Sequence, residues 1–127
     1  MKKILPALLA ALLLTGCAAT GGEAGYRQVD MAQAQEIMAW EQDYILLDVR
    51  RSDEFAAGHI PGAINIPNET IGTQAIPQLP DRDQLILVYC RSGNRSKQAS
   101  QKLVALGYTN IVEFGGILDW PGPTEAL

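Results

Sequence analysis

The chain is short of the residues from which most sites are built. Among 127 residues there is one histidine, His59, and there are two cysteines, Cys17 and Cys90. Four-ligand Cys/His zinc sites are excluded by count, and no metal site is expected. A Ser-His-Asp or Cys-His nucleophile would have to recruit His59. Basic residues are in deficit: ten Lys and Arg stand against fourteen Asp and Glu, for a net charge of −4. That balance gives no electrostatic footprint for nucleic acid. The apolar run from Ile4 to Leu14 is shorter than the about 20 residues a membrane-spanning helix needs. The glycines form no dinucleotide fingerprint and there is no internal repeat, so no cofactor is implied. What is present, 47% hydrophobic and 19% charged residues, describes one small folded domain rather than a disordered chain.

The N-terminus reads as an address. Lys2 and Lys3 precede the short apolar core, and small residues follow it, as in a secretory signal. The exit, Leu14-Thr15-Gly16-Cys17, resembles the bacterial lipobox, in which the signal is cut before a cysteine that then carries lipid. The resemblance implies a signal peptide over residues 1–16 and a lipidated Cys17 with three acyl chains, palmitate among them. One chain holds a protein only marginally, whereas three anchor it firmly. Ala18, rather than Asp, follows the cysteine. By resemblance to Gram-negative sorting, this implies the outer membrane, with the protein facing the periplasm. Residues 17–25, small and Gly-rich, read as a flexible tether, and residues 26–127 as the folded domain. With Cys17 acylated, Cys90 has no intrachain partner, so a lone thiol sits in a compartment that permits disulfides.

Along the domain, Asp30 can cap a helix from Met31 to about Ala39, with Met31, Ala34, Ile37 and Met38 on one face. Tyr44 to Leu47 reads as a buried strand ending at Asp48-Val49-Arg50. Ser52 can cap a short helix to about Ala57, stopped by Gly58. Ala63 to Ile66 gives a short strand, and residues 68–80 leave room for one short helix before Pro77. Leu85 to Tyr89, continuous and apolar, has the character of a central strand of a parallel sheet. Ser96 can cap a helix to Leu106, with Gly107 at its C-terminal end, and Asn110 to Glu113 forms a last strand. Gly115 and Gly116 then turn into a closing segment with Trp120. Strands alternating with helices predict an α/β fold: a central parallel sheet with helices on both faces.

Between the apolar strand and the following helix lies Cys90-Arg91-Ser92-Gly93-Asn94-Arg95-Ser96. Ligands of open α/β sheets bind beyond the carboxyl ends of strands, where Cys90 falls. Gly93 permits a positive φ and Asn94 tolerates one, so the run can curl with its amides pointing inward. The helix N-terminus adds partial positive charge, and Arg91 and Arg95 add full charges. An acidic protein thus concentrates positive potential around one thiol, which favours an exposed, reactive thiolate without a neighbouring base.

The loop resembles the active-site loop of rhodanese-domain sulfurtransferases, of the form Cys-x-x-Gly-x-Arg-Ser. Leu47-Asp48-Val49-Arg50, and the run from Glu54 through Gly58-His59-Ile60-Pro61-Gly62-Ala63 to Pro67, look like that family's second signature. Gly115-Gly116 with Trp120 is similar to its ending. The resemblance covers Tyr26 to Trp120 and implies a rhodanese-like fold. It implies that Cys90 attacks the outer sulfur of a donor such as thiosulfate, holds it as a persulfide and passes it to cyanide or a thiol. Carried onto this chain, the amides of Arg91, Ser92, Gly93, Asn94, Arg95 and Ser96 would cradle the terminal sulfur. The Arg91 and Arg95 side chains would attract an anionic donor and steady the departing sulfite. In the same motif His59 is expected to satisfy local backbone groups, Arg50 to pair with Glu54, and Trp120 to pack at the core or its rim.

Other readings stay open at this stage. Cysteine phosphatases and arsenate reductases of related fold use Cys-x₅-Arg, whereas only four residues separate Cys90 from Arg95, a tighter cradle better matched to one sulfur atom. A module that carries sulfur in an envelope complex without turnover would show the same motifs. A catalytically dead interaction domain would be expected to lose Cys90 first.

Overall fold

The computed structural model describes residues 25–127. The expected signal peptide (residues 1–16), Cys17 and all of the expected tether except Gly25 lie outside the described residues. Five strands form one sheet: β1 (Arg27–Gln28), β2 (Tyr44–Asp48), β3 (Ile64–Asn65), β4 (Leu85–Cys90) and β5 (Ile111–Gly116). Their order is β1-β5-β4-β2-β3, and every pairing is parallel. Three α-helices lie between them: α1 (Met31–Trp40), α2 (Ser52–Ala57) and α3 (Asn94–Ala105). One-turn 3₁₀ helices occupy Asn68–Thr70 and Ile117–Asp119.

The alternation of β4 divides the core. Ile86, Val88 and Cys90 point to one face, where they join Leu47, Ala99 and Leu103 beneath α3. Leu87 and Tyr89 point to the other, with Leu46, Val112, Phe114 and Ala34 beneath α1. Both faces of β4 are therefore dry, which explains its unbroken apolar run. Asp30 caps α1 as its sequence suggests: its Oδ1 accepts the Gln33 N–H (2.8 Å), and the Gln33 side chain returns the bond to the Asp30 N–H (2.9 Å).

Three boundaries depart from the sequence expectation. Ser52 is the first residue of α2 and not its cap; the backbone N–H of Arg51 is held instead by Glu54 Oε1 at 3.0 Å. Ser96 lies inside the first turn of α3, fully buried, and Gly93 is the N-cap. β5 runs three residues past Glu113. Between Val88↔Glu113 and Cys90↔Gly116 it holds one residue more than β4, a bulge that bends the strand beside Cys90. The region before Pro77 holds only the 3₁₀ turn at Asn68–Thr70.

Candidate active site

β4 delivers Cys90 to the carboxyl end of the sheet, and the chain turns at once into the loop that starts α3. Gly93 makes the turn: its φ of +120° is open to glycine and strained for other residues, while Asn94 is already helical. The turn brings the Gly93 N–H to 3.0 Å from Cys90 Sγ. The Sγ–H donates to Ser96 Oγ at 3.4 Å. Ser96 Oγ lies 2.5 Å from Glu113 Oε2, with the Gly93 carbonyl a second acceptor at 2.9 Å. Glu113 Oε2 also accepts the Gly115 N–H (2.9 Å), and its Oε1 accepts from Gln28 Nε2 (3.2 Å).

The loop packs directly on β5. A Cβ on Gly116 would lie 1.9 Å from the Arg91 carbonyl oxygen. That carbonyl also accepts the Leu118 N–H at 3.3 Å. This closeness has a consequence that departs from the sequence expectation of an exposed thiol: Cys90 is 1% exposed. Arg91, Ser92 and Asn94 of the same loop face solvent. A cavity of about 450 Å³ opens beside the loop, walled by Ser92, Gly93, Lys97, Glu113 and Asp119 among others. A larger one, about 650 Å³, lies at the opposite end of β2, along Tyr44 to Leu46.

The two arginines differ. Arg95 forms a two-pronged ion pair with Glu54, Nη1 to Oε1 at 2.7 Å and Nη2 to Oε2 at 3.2 Å. Hydrogen bonding to Arg95 lowers the Glu54 pKa to about 2, against the opposing effect of burial. Arg91 is exposed, and among the described residues it forms no ion pair. The loop's unengaged cation is therefore Arg91.

The second signature builds a frame around the loop. Asp48, fully buried, accepts from Arg50 Nε (3.1 Å) and Nη2 (2.8 Å), and Arg50 Nη2 also reaches the Gly58 carbonyl (2.6 Å). The expected Arg50–Glu54 pair does not form: Arg50 is drawn inward to the buried carboxylate of Asp48, and Glu54 turns outward to Arg95. Tyr89 accepts the Ile60 N–H at 3.1 Å; burial and the neighbouring Asp48 raise its pKa. His59 lies within hydrogen-bond distance of the Phe55 carbonyl through Nδ1 (2.9 Å) and stacks on the Phe55 ring at 3.8 Å. Its backbone pairs with Glu125, tying down the C-terminal segment. Trp120 is half-buried, packs on the α1-side core and donates to the Pro123 carbonyl. Two members of the site were not singled out from sequence: Glu54 as the partner of Arg95, and Glu113. The signal for Glu113 was a lone acid inside the apolar strand Ile111-Val112-Glu113-Phe114.

The family model for the rhodanese-like domain matches residues 30–121. The model for the prokaryotic membrane lipoprotein lipid attachment site matches residues 1–18. The thiosulfate sulfurtransferase PspE of Escherichia coli (strain K12) is 36% identical over 73 residues, 58% of this chain and 70% of its own length. A sulfurtransferase of Allochromatium vinosum is 35% identical over 94 residues, 73% of this chain and 86% of its own. The solution structure of a rhodanese-like domain from Anabaena superposes with a TM-score of 0.70 at 28% identity, covering 79% of each chain. The matched span takes in both motifs and the sheet from β2 to β5, and the chain belongs to the rhodanese-like domain family, with a lipoprotein attachment site at its N-terminus.

Proposed function

We propose that this protein is a sulfurtransferase: Cys90 takes sulfane sulfur from an anionic donor such as thiosulfate and yields it to cyanide or a thiol. The observation that carries the reading is the Gly93 N–H aimed at Cys90 Sγ from 3.0 Å, at the end of the central strand. Sulfur transfer passes negative charge from the attacking sulfur to the terminal sulfur of the persulfide. An amide donor held beside the sulfur stabilises that charge. Arg91 supplies the unengaged positive charge that draws the donor in. The donor must reach a covered sulfur, so loading requires the chain over Cys90 to move aside.

Arg95 argues against the phosphatase reading. Both prongs of its guanidinium are engaged by Glu54, so it offers no fork to a tetrahedral oxyanion. A leader over residues 1–16, lipid on Cys17 and a tether to residue 25 would hold the domain of residues 26–127 on the envelope, facing the periplasm from the outer membrane. The test is steady-state formation of thiocyanate from thiosulfate and cyanide. Sustained turnover in the native protein and none in Cys90→Ser supports the enzyme. A single stoichiometric loading without turnover indicates a sulfur carrier. Hydrolysis of p-nitrophenyl phosphate with thiosulfate left untouched would reverse the assignment.

A further inference from the structure

Glu113 is 2% exposed, and among the described residues no Lys, Arg or His pairs with it. A carboxyl group buried without a cation is costly unless hydrogen bonds satisfy it, and here hydrogen bonds alone hold it among the described residues. Its contacts are specific. Gly115 and Gln28 fix the carboxyl group, and Ser96 Oγ bridges it to Cys90, 2.5 Å on one side and 3.4 Å on the other. The bulge in β5 creates this geometry, because it lets the Gly115 N–H fold back on the side chain two residues earlier.

We infer that Glu113 receives the Cys90 proton through Ser96 during sulfur loading and returns it when sulfur leaves. This rests on the sulfurtransferase reading and adds the proton's route. In loading, the Sγ–H proton passes to Ser96 Oγ while the Ser96 proton passes to Glu113 Oε2. Sγ attacks the outer sulfur of thiosulfate; its S–S bond breaks and the electron pair leaves with sulfite. Thiol, carboxylate and thiosulfate become persulfide anion, carboxylic acid and sulfite, with total charge unchanged. In unloading, cyanide attacks the outer sulfur and departs as thiocyanate. The Cys90 Sγ–S bond breaks toward Sγ, which recovers its proton along the same path. Cys90, its bound sulfur and Glu113 together thus carry one negative charge before and after each half-reaction. Glu113 acts through Ser96, and so positions the proton without touching substrate.

The charged and titratable groups around this pair are Tyr26 beside β1, Asp30 at the start of α1, Lys97 on α3, Asp119 in the closing turn, and Arg91 and Arg95 of the loop. None of them bridges to Sγ through a hydroxyl as Glu113 does.

Two measurements on the lipid-free domain with Cys17 removed test this. The domain is that of residues 25–127, which hold both core faces and the five-stranded sheet. Infrared spectra with ¹³C-labelled glutamate should show a protonated carboxyl band appearing on thiosulfate loading and vanishing with cyanide, and no such band in Glu113→Gln. The loading rate of that variant should fall roughly a hundredfold, in the range of acid–base catalysis. Alkylation of Cys90 by iodoacetamide needs no sulfur donor. Its rate should rise with pH in two steps in the native protein and in one step in Glu113→Gln, since coupled groups lose their protons as a pair. A one-step profile in the native protein, or sulfur gain by mass without the carboxyl band, overturns the role of Glu113. Two-step alkylation without any sulfur gain sinks the sulfurtransferase reading and leaves the proton pair standing. Both readouts on the native protein are independent of whether the variant folds.

Discussion

Arg95 and Glu54 are 41 residues apart in the chain, and their charged groups meet at 2.7 Å. The pair ties the first turn of α3, which follows the Cys90 loop, to the first turn of α2, which lies within the second family signature. The loop is thereby held at both ends, by β4 on one side and by this bridge on the other.

Glu54 ionises at about 2 in the folded protein, against an ordinary 4.5. A carboxyl group with a depressed folded pKa stabilises the fold fully above its unfolded value, and the contribution disappears as pH falls through the folded value. Glu54→Gln should therefore be less stable than the native protein near neutral pH, by about 1 kcal/mol once partial exposure is allowed for. The gap should narrow between about pH 4.5 and 2. Urea unfolding at both ends of that window checks it.

Gly116→Ala should displace the Cys90 loop. Its Cβ would fall 1.9 Å from a backbone oxygen, which cannot rotate away, so a loss of about 3 kcal/mol and a collapse of sulfur loading are expected. Gly62→Ala is the control. Gly116 is extended, with φ −141°, whereas Gly62 has a positive φ, +90°, and nothing lies within 4 Å of its new Cβ. It should cost about 1–2 kcal/mol in backbone strain and leave loading intact. Thermal melts and intact mass of both variants separate the two effects.

His59→Ala should weaken the fold and spare the chemistry. The ring stacks on Phe55 and lies within hydrogen-bond distance of its carbonyl, and it has no contact with the Cys90 loop among the described hydrogen bonds. A loss of about 2 kcal/mol is expected for the buried ring, with turnover per folded molecule unchanged. A loss of turnover in protein shown to be folded would give His59 a chemical role.

Arg91→Ala should slow reaction with anionic donors. An exposed cation is worth up to about 1 kcal/mol, so thiosulfate loading should fall roughly fivefold at low salt. The native rate should drop toward that of the variant as salt rises, because exposed charges are screened. An equal response to a neutral alkylating agent would show that the residue acts on loop shape and not on charge.

Four of the five strands were legible because their signals are local: β4 is unbroken and apolar, and β2, β3 and β5 share that character, whereas β1 is two exposed residues recognisable only by pairing with β5. The Cys90 loop was legible through its motif and its position after β4. What sequence hid were the pairings across distance. Arg50 has carboxylates at both i−2 and i+4, Asp48 and Glu54, and only burial decides for Asp48. Arg95 could not be assigned to Glu54 without knowing that α2 and α3 start side by side. Ser96 has the residue type of a cap, whereas Gly93 turns the chain three residues earlier and leaves the hydroxyl free to bridge Cys90 and Glu113. The glycine pair was read as a turn, but it continues β5 through a bulge that only the β4 register reveals. The burial of Cys90 follows from that close approach, which no local pattern encodes.

Intact mass of the lipid-free domain before and after exposure to thiosulfate tests the central claim most directly. A gain of one sulfur atom that maps to Cys90, is removed by cyanide and is absent from Cys90→Ser is the expected result. An unchanged mass in folded protein, with Cys90 still open to alkylation, would contradict it.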